Sequence, residues 1–409
     1  MSKKKKLIPE LRFPEFKNED EWEYLNGNEL FEPISNKNHN SDLPILAITQ
    51  EQGAIPRELI DYHVTVSEKS IESYKVVEVG DFIISLRSFQ GGIEYSNYLG
   101  LCSPTYIILR KKLDLVNDFY RHYFKSFSFI QDLNKNLEGI RDGKMVSYTQ
   151  FSEILIPKPD KKEQKKIADC LSSLEQLITT YSDELETLRN HKKGLMQNLF
   201  PQEGKKVPNY RFQEFKNDGE WELKELVKVA EIITGNTPST MESSYYGGEK
   251  MFVSPADMSD NRIVSETKTT LTELGFSKTR QIKSNSVLFV CIGSTIGKVA
   301  QNKYECATNQ QINSLVALKG YSSDFLYSLL DCKSRQIASI AGNHAVPIIN
   351  KTSFSAVKLP FPPSSEEQEK IASCFLTLDE LITAQTEKIV QLQQHKKGLM
   401  QDLFPKMEK

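Results

Sequence analysis

The chain has 409 residues, of which 39% are hydrophobic and 26% charged, the balance of a globular protein with two to three domains rather than of a disordered chain. The net charge of −2, with a pI of about 6.4, argues against a broad basic surface, so a polyanionic partner would have to be met locally or with help from other subunits. No apolar run approaches the roughly 20 residues that cross a bilayer, and Lys3–Lys6 leads into Leu7-Ile8-Pro9-Glu10 rather than the hydrophobic core of an export signal, so a cytoplasmic protein without membrane contact is expected.

From the N-terminus, the first marker is RFPEFKNEDEWE at Arg12–Glu23, and it returns 199 residues later as RFQEFKNDGEWE at Arg211–Glu222. Between the markers and the helices that follow lie two segments that hardly resemble each other. In the first, Gly80–Leu86 reads as a buried strand and Tyr106–Arg110 as a second, followed by a helical stretch near Asp118–Asn134. In the second, Asn285–Cys291 and Ser314–Leu318 are the matching strands, and Ser323–Ile340 is the matching helix. Phe151–Ile154 and Phe354–Val357 then lead through proline-rich entries into long helices. Each segment is of ordinary domain size and is expected to be an α/β domain.

The two long helices are the best-preserved part. Asp160–Pro201 and Ser364–Pro405 align at an offset of 204, and His191–Gln197 and His395–Gln401 are identical, HKKGLMQ. Ile167, Leu171, Leu174, Ile178, Leu185 and Leu188 recur at alternating steps of four and three, with Tyr181 filling the gap. Ile371, Phe375, Leu378, Ile382, Ile389 and Leu392 repeat the seam in the second copy, with Gln385 at the gap. This is a coiled-coil period, interrupted in both copies by a lysine, Lys192 and Lys396. Asp160 with Glu163, and Ser364 with Glu367, fit capping boxes at the helix starts. Pro201 and Pro405 stop helices of about 40 residues, or about 60 Å. Two matching seams in one polypeptide sit at high effective concentration, so they are expected to pair with each other, antiparallel. The expected fold is α+β: two α/β domains separated by a long antiparallel two-helix coiled coil, with a pseudo-two-fold internal repeat. The expected boundaries are 1–156 for the first insert domain, 157–205 for the first spacer helix, 206–358 for the second insert domain and 359–409 for the second spacer helix.

Candidate binding residues sit on polar, glycine-bearing turns. Arg87, Ser88 and Gln90 lie on one such turn of the first insert, where Lys111 is a further basic candidate; Thr237 and Ser239, then Ser294, Thr295 and Lys298, then Asn309 and Gln310 lie on three turns of the second. Arginine matches guanine edges and Asn or Gln matches adenine edges in the major groove; taken singly, each is also an ordinary turn residue. The first insert (Glu21–Ile156) carries 13 basic against 19 acidic residues and the second (Glu220–Lys358) 15 against 13, so the basic side chains have to act locally.

Several chemical motifs are approached and missed. Asp160, Glu163 and Lys165 have the residue types of a metal-dependent nuclease, but they fall within about one helical turn and the second copy has Ser364 in place of Asp160. Phe361-Pro362-Pro363-Ser364 lacks the amide and the aromatic of an amino-methyltransferase motif. Gly293–Val299 is one residue short of a phosphate loop and has Val299 where Ser or Thr should follow Lys298. The six cysteines form no C-x-x-C pair, Cys170 and Cys374 sit beside the seam as small hydrophobes, and His191 and His395 lack ligand partners, so neither a catalytic residue nor a metal site is expected.

The proline-rich entry followed by E-Q-x-K-I-A (Glu163–Ala168, Glu367–Ala372), the helix ending HKKGLMQ-x-LFP, the T-G-N-T-P-S run at Thr234–Ser239 and the two-insert plan resemble the specificity subunit of a type I restriction–modification system, over essentially the whole chain. The first insert departs from that pattern, with Ile34-Ser35-Asn36-Lys37 in place of the T-P-S run. The resemblance implies a non-catalytic subunit in which each insert, a target recognition domain, reads one half of a split, asymmetric double-stranded DNA target. It implies a helical rod that docks two adenine-methylating modification subunits, with restriction subunits joining through the complex. S-adenosylmethionine, ATP and Mg would be held by those partners and none of them by this chain. The rivals are a complete restriction or methylating enzyme in one chain and a scaffold that spaces two protein-binding domains.

Overall fold

The computed structural model describes residues 8–40, 42–60, 71–135, 146–259, 261–342 and 346–405; the Lys3–Lys6 run lies outside them. The chain forms two compact units, the first made of residues 1–180 and 389–409, the second of residues 181–388. Each holds one insert together with parts of both long helices.

In the first unit a four-stranded antiparallel sheet runs in the order Phe31–Ile34, Ile107–Lys111, Phe82–Ile84, Glu94–Tyr95. An aromatic core packs beneath it: Phe31 meets Phe82, Tyr120, Phe124 and Phe151 with ring centroids 5.4–6.1 Å apart, mostly edge to face. The helical stretch expected near Asp118–Asn134 is two helices, Asn117–Tyr123 and Phe127–Lys135. The chain turns tightly between them, where Ser126 Oγ accepts from the Phe129 N–H. Gly92 passes so close that a Cβ there would lie 2.0 Å from the Phe124 carbonyl oxygen. Local hydrogen bonding and this close approach override a continuous helical pattern.

The second unit carries a five-stranded sheet, in the order Ala230–Thr234, Ile312–Ala317, Val287–Val290, Val299–Asn302, Ile263–Val264. A four-stranded sheet joins it, in the order Thr269–Leu271, Tyr246–Val253, Cys306–Thr308, Gln281–Ile282. Both aligned strand pairs read from the sequence are present as neighbours: Phe82–Ile84 beside Ile107–Lys111, and Val287–Val290 beside Ile312–Ala317. The helix Ser323–Ala338 is capped by Ser322 and buries Phe325, Leu326, Leu329 and Leu330.

The repeated markers clasp the repeated helix starts. Arg12 donates from Nε and Nη2 to the two oxygens of Glu163, each at 2.8 Å, and the Trp22 indole donates to the same carboxylate at 3.0 Å. Arg211 does the same to Glu367 at 2.8 and 2.6 Å. The glutamates are therefore not the reciprocal members of capping boxes. Asp160 accepts from the Lys162 N–H and Ser364 Oγ from the Glu367 N–H, but the glutamate carboxylates turn inward, where a bidentate, buried guanidinium is the stronger partner. The adjacent glutamines face the inserts, Gln164 accepting from the Val116 N–H at 3.0 Å and Gln368 from the Ser322 N–H at 3.3 Å.

The long helices are Lys161–Leu199 and Ser365–Leu403, 39 residues each, and every seam residue is buried or half-buried. They pair antiparallel within each unit. In the first, Ile167, Ala168 and Leu171 share a core with Leu399, Met400, Leu403 and Phe404, and the Leu11 N–H donates to the Asp402 carbonyl at 2.9 Å. In the second, Leu195, Met196, Leu199 and Phe200 pack with Ile371, Ala372 and Phe375, and the Tyr210 N–H donates to the Asn198 carbonyl at 2.9 Å. The lysines that interrupt the seam are ion-paired across it: Lys396 with Glu175 in the first unit and Lys192 with Asp379, at 2.7 Å, in the second. The other gap holds a hydrogen bond, from Gln385 Nε2 to the Tyr181 carbonyl at 3.1 Å.

Candidate nucleic-acid interface

In the second unit three chain segments converge on one polar surface. Thr234–Ser239 follows the first strand of the larger sheet and lies against the turn at Asn309–Gln311. The approach is close enough that a Cβ on Gly235 would stand 2.2 Å from the Thr308 carbonyl oxygen, so only glycine fits. Thr234 Oγ1 donates to Asn313 Oδ1 at 2.6 Å and Thr237 Oγ1 to Gln310 Oε1 at 2.8 Å. Asn309 and Gln311 bond each other through both side chain and backbone, and Gln311 Nε2 reaches the Ile292 carbonyl on the next turn at 3.3 Å. The third segment comes from Lys278–Arg280, whose contacts are with Thr234 and Asn236.

Of the residues singled out from sequence, Thr237, Asn309 and Gln310 are thus brought together, and Ser239 is exposed on the same loop. Ser294 and Thr295 lie on the separate turn that Gln311 ties in, with Ser294 exposed and Thr295 half-buried. Lys298 points back, its ammonium donating to the Met258 carbonyl at 2.9 Å. Beneath the loops Cys291 is a buried hydrophobe whose thiol is pushed up to about 12 by burial, which keeps it protonated and unreactive.

In the first unit Arg87 and Gln90 are exposed at the short helix Ser88–Gly91, but Ser88 is 1% exposed and its hydroxyl accepts from the Ser85 N–H at 2.9 Å, holding the turn. The Arg87 turn borders an open polar concavity of about 720 Å³ with Thr49, Gln50, Gln52, Ser85 and Tyr106. Lys111 is turned toward the Leu115 carbonyl at 2.9 Å.

A second concavity in this unit, of about 740 Å³, is lined by Arg121, His122, Lys125, Glu175 and Lys396. Its charges are spent internally: Arg121 on Glu175 at 2.8 Å, Lys125 on Glu94 at 2.5 Å, Lys396 on Glu175. Burial pushes the His122 imidazole down to about 4, against the pull of Glu175, with Arg121 and Lys396 adding to the depression. It is neutral at physiological pH. Among the described residues no cluster of three His, Cys, Asp or Glu could hold a metal ion, and no helix is long and apolar enough to cross a membrane.

The residues that sequence reasoning missed are Arg280, Asn236 and Gln311. Asn236 and Gln311 stood inside runs that were noticed, whereas Arg280 lies 41 residues beyond Ser239, on a segment with no motif of its own.

The chain has counterparts among known proteins. It is 25% identical to the type I restriction enzyme MjaVIII specificity subunit of Methanocaldococcus jannaschii, over 95% of this chain and 92% of that one. It is 31% identical to the type I restriction enzyme HindI specificity subunit of Haemophilus influenzae, over 38% of this chain and 35% of that one. A crystal structure of a type I restriction–modification system S subunit from M. genitalium shares the fold, with a TM-score of 0.66 at 14% identity, covering 98% of this chain and all of that one. The profile of the type I restriction modification DNA specificity domain matches residues 15–189 and again 218–394. With two copies of that domain spanning most of its length, the chain belongs to the type I restriction–modification DNA specificity family.

Proposed function

We propose that this chain is the sequence-reading subunit of a type I restriction–modification complex, with one half of a split, asymmetric duplex target assigned to each insert. The observation that carries the reading is a duplicated frame with two different inserts. The clasps Arg12–Glu163 and Arg211–Glu367 repeat, while the polar turns of the two inserts do not. Recognition is its own part and it performs no chemistry. Adenine methylation with S-adenosylmethionine belongs to modification subunits, and DNA cleavage with ATP and Mg to restriction subunits, all in the cytoplasm.

Docking of two modification subunits is supported by the HKKGLMQ repeat. Within each copy Lys192 and Lys396 are ion-paired, and Leu195, Met196, Leu399 and Met400 pack into cores. His191, Lys193 and Gln197, and equally His395, Lys397 and Gln401, are exposed. Gly194 and Gly398 have nothing within 4 Å of where a Cβ would stand. A mid-helix glycine costs about 1 kcal/mol relative to alanine, and nothing inside this chain requires it. An identical exposed face, present twice, suits two copies of one partner. A scaffold for other proteins would account for that face but not for the different arginine-bearing and amide-bearing turns.

The test is to coexpress the chain with its modification subunit and map methylated adenines genome-wide. Replacing residues 220–358 by the corresponding insert of a relative is expected to change one half of the methylated motif and leave the other intact. A change in both halves would contradict independent reading, and loss of all sequence preference in the unaltered complex would contradict the function itself.

A further inference from the structure

Arg280 is exposed at the edge of the polar surface of the second unit, yet both its backbone and its side chain are hydrogen-bonded. Its backbone N–H donates to Asn236 Oδ1 at 2.8 Å, and Asn236 Nδ2 donates in turn to the Lys278 carbonyl at 3.0 Å. Its guanidinium donates from Nη1 to the Thr234 carbonyl at 2.6 Å. Backbone and side chain are thus both referred to one loop.

The nature of that partner is informative. Arg12, Arg110, Arg121, Arg211 and Arg262 all end on carboxylates. Arg280 ends on a neutral carbonyl, with no ion pair among the described residues to offset its charge. Only one of the five guanidinium donors is spent on a bond within the described chain, and the residue is exposed. A latch for the loop is already supplied by Asn236, which bonds the Lys278–Arg280 backbone in both directions, so the arginine is not needed for that task. Fixing a long side chain before binding removes the entropy that an unrestrained arginine loses on contact.

Three residues along the same loop, Thr237 holds Gln310 by its amide oxygen, and the Gln310 nitrogen has no partner within the described chain. A guanidinium fork matches O6 and N7 of guanine, and a carboxamide matches N6 and N7 of adenine. We infer that Arg280 is a specificity-determining residue that reads a guanine in the half-site of the second unit, beside Gln310. The inference rests on the DNA-reading function proposed above and adds to it a residue and a base.

The experiment uses the full chain coexpressed with its modification subunit. The probes are duplexes bearing the methylated motif of the unaltered complex, and a set in which each base pair is permuted in turn. Arg280→Ala is expected to weaken binding to the motif by roughly 10- to 100-fold and to relax preference at one G·C pair in the half-site that follows the second insert. Arg280→Lys is expected to restore overall affinity in part, through charge, but not the preference, because an ammonium lacks the fork. Thermal melting of each variant separates this from a folding defect. An unchanged motif at every position, or weakening that is equal for all sequences with a shallower salt dependence, overturns the inference while leaving the function standing; the latter result would mark a phosphate contact. If the unaltered complex shows no preference among the duplexes, the DNA-reading function fails and the inference goes with it.

Discussion

His122, at 2% exposure, is a buried titratable side chain of the first unit. It faces Ser172 Oγ at 3.1 Å and Glu175 at 3.7 Å, with Arg121 beside it and Lys396 crossing from the other helix. Burial lowers its pKa to about 4, below the ordinary value of 6.5. In the folded state the ring therefore stays neutral through a range in which the unfolded chain takes up a proton. Stability contributed by the neutral ring is complete above pH 6.5 and falls as the pH drops toward 4, by about 3 kcal/mol for a shift of this size. The melting temperature of the protein is expected to decline over that window more steeply than that of His122→Gln. Parallel profiles would show that another group carries the acid sensitivity. The same neighbourhood explains the lysine in the seam: Lys396 is tolerated because Glu175 waits opposite, as Asp379 does for Lys192. Removing one member of such a pair leaves a partly buried charge without its partner, a cost that applies equally in both copies.

At the scale of elements, what was legible in the sequence was whatever repeats with a period. The seam of both long helices stood out because burial on one face of a coiled coil forces apolar residues to alternate at three and four, and strands such as Val287–Val290 stood out as unbroken apolar runs. What was not legible depended on distant partners. Glu163 and Glu367 have the spacing of capping residues, and only the fold brings Arg12 and Arg211 to them. Arg280 joins the Thr234 loop from 46 residues away, and no local pattern marks it. The site was half visible for the same reason: Thr237 and Gln310 sit on turns that glycine and asparagine announce, but their 2.8 Å contact spans 73 residues. The glycines of HKKGLMQ allow a direct test of the helices as a docking face. Gly194→Ala and Gly398→Ala meet no atom of this chain, so each is expected to stabilise the isolated subunit by about 0.5–1 kcal/mol while weakening its association with the modification subunit. Tighter folding with unaltered assembly, measured by denaturant unfolding and by titration of the partner, would remove the glycines from the docking surface.

For the whole molecule, the period of the helices and the repeat of the frame make one quantitative demand. Adding seven residues in register near Leu185, with the matching seven near Ile389, keeps the heptad period of both helices but lengthens each by about 10 Å. The mapped motif is expected to keep both half-sites and to acquire a longer gap, or methylation to cease because no gap within one face of the duplex suits it. An active protein with an unchanged gap would show that the helices do not set the spacing. Assembly of the first unit from the two ends of the chain also has a consequence for how the protein is made. Phe404 packs on Phe119 and Tyr123 at 5.5 Å from each, and Leu399, Met400 and Leu403 complete the same core. At ribosomal speeds of about 5–20 residues per second, those aromatic rings leave the exit tunnel roughly 10 to 50 seconds before the residues that cover them exist. The second unit, one uninterrupted stretch of chain, has no such wait. The domain translated first is finished last, so a nascent chain stalled before Ile389 leaves its bare aromatic face to chaperones and proteases.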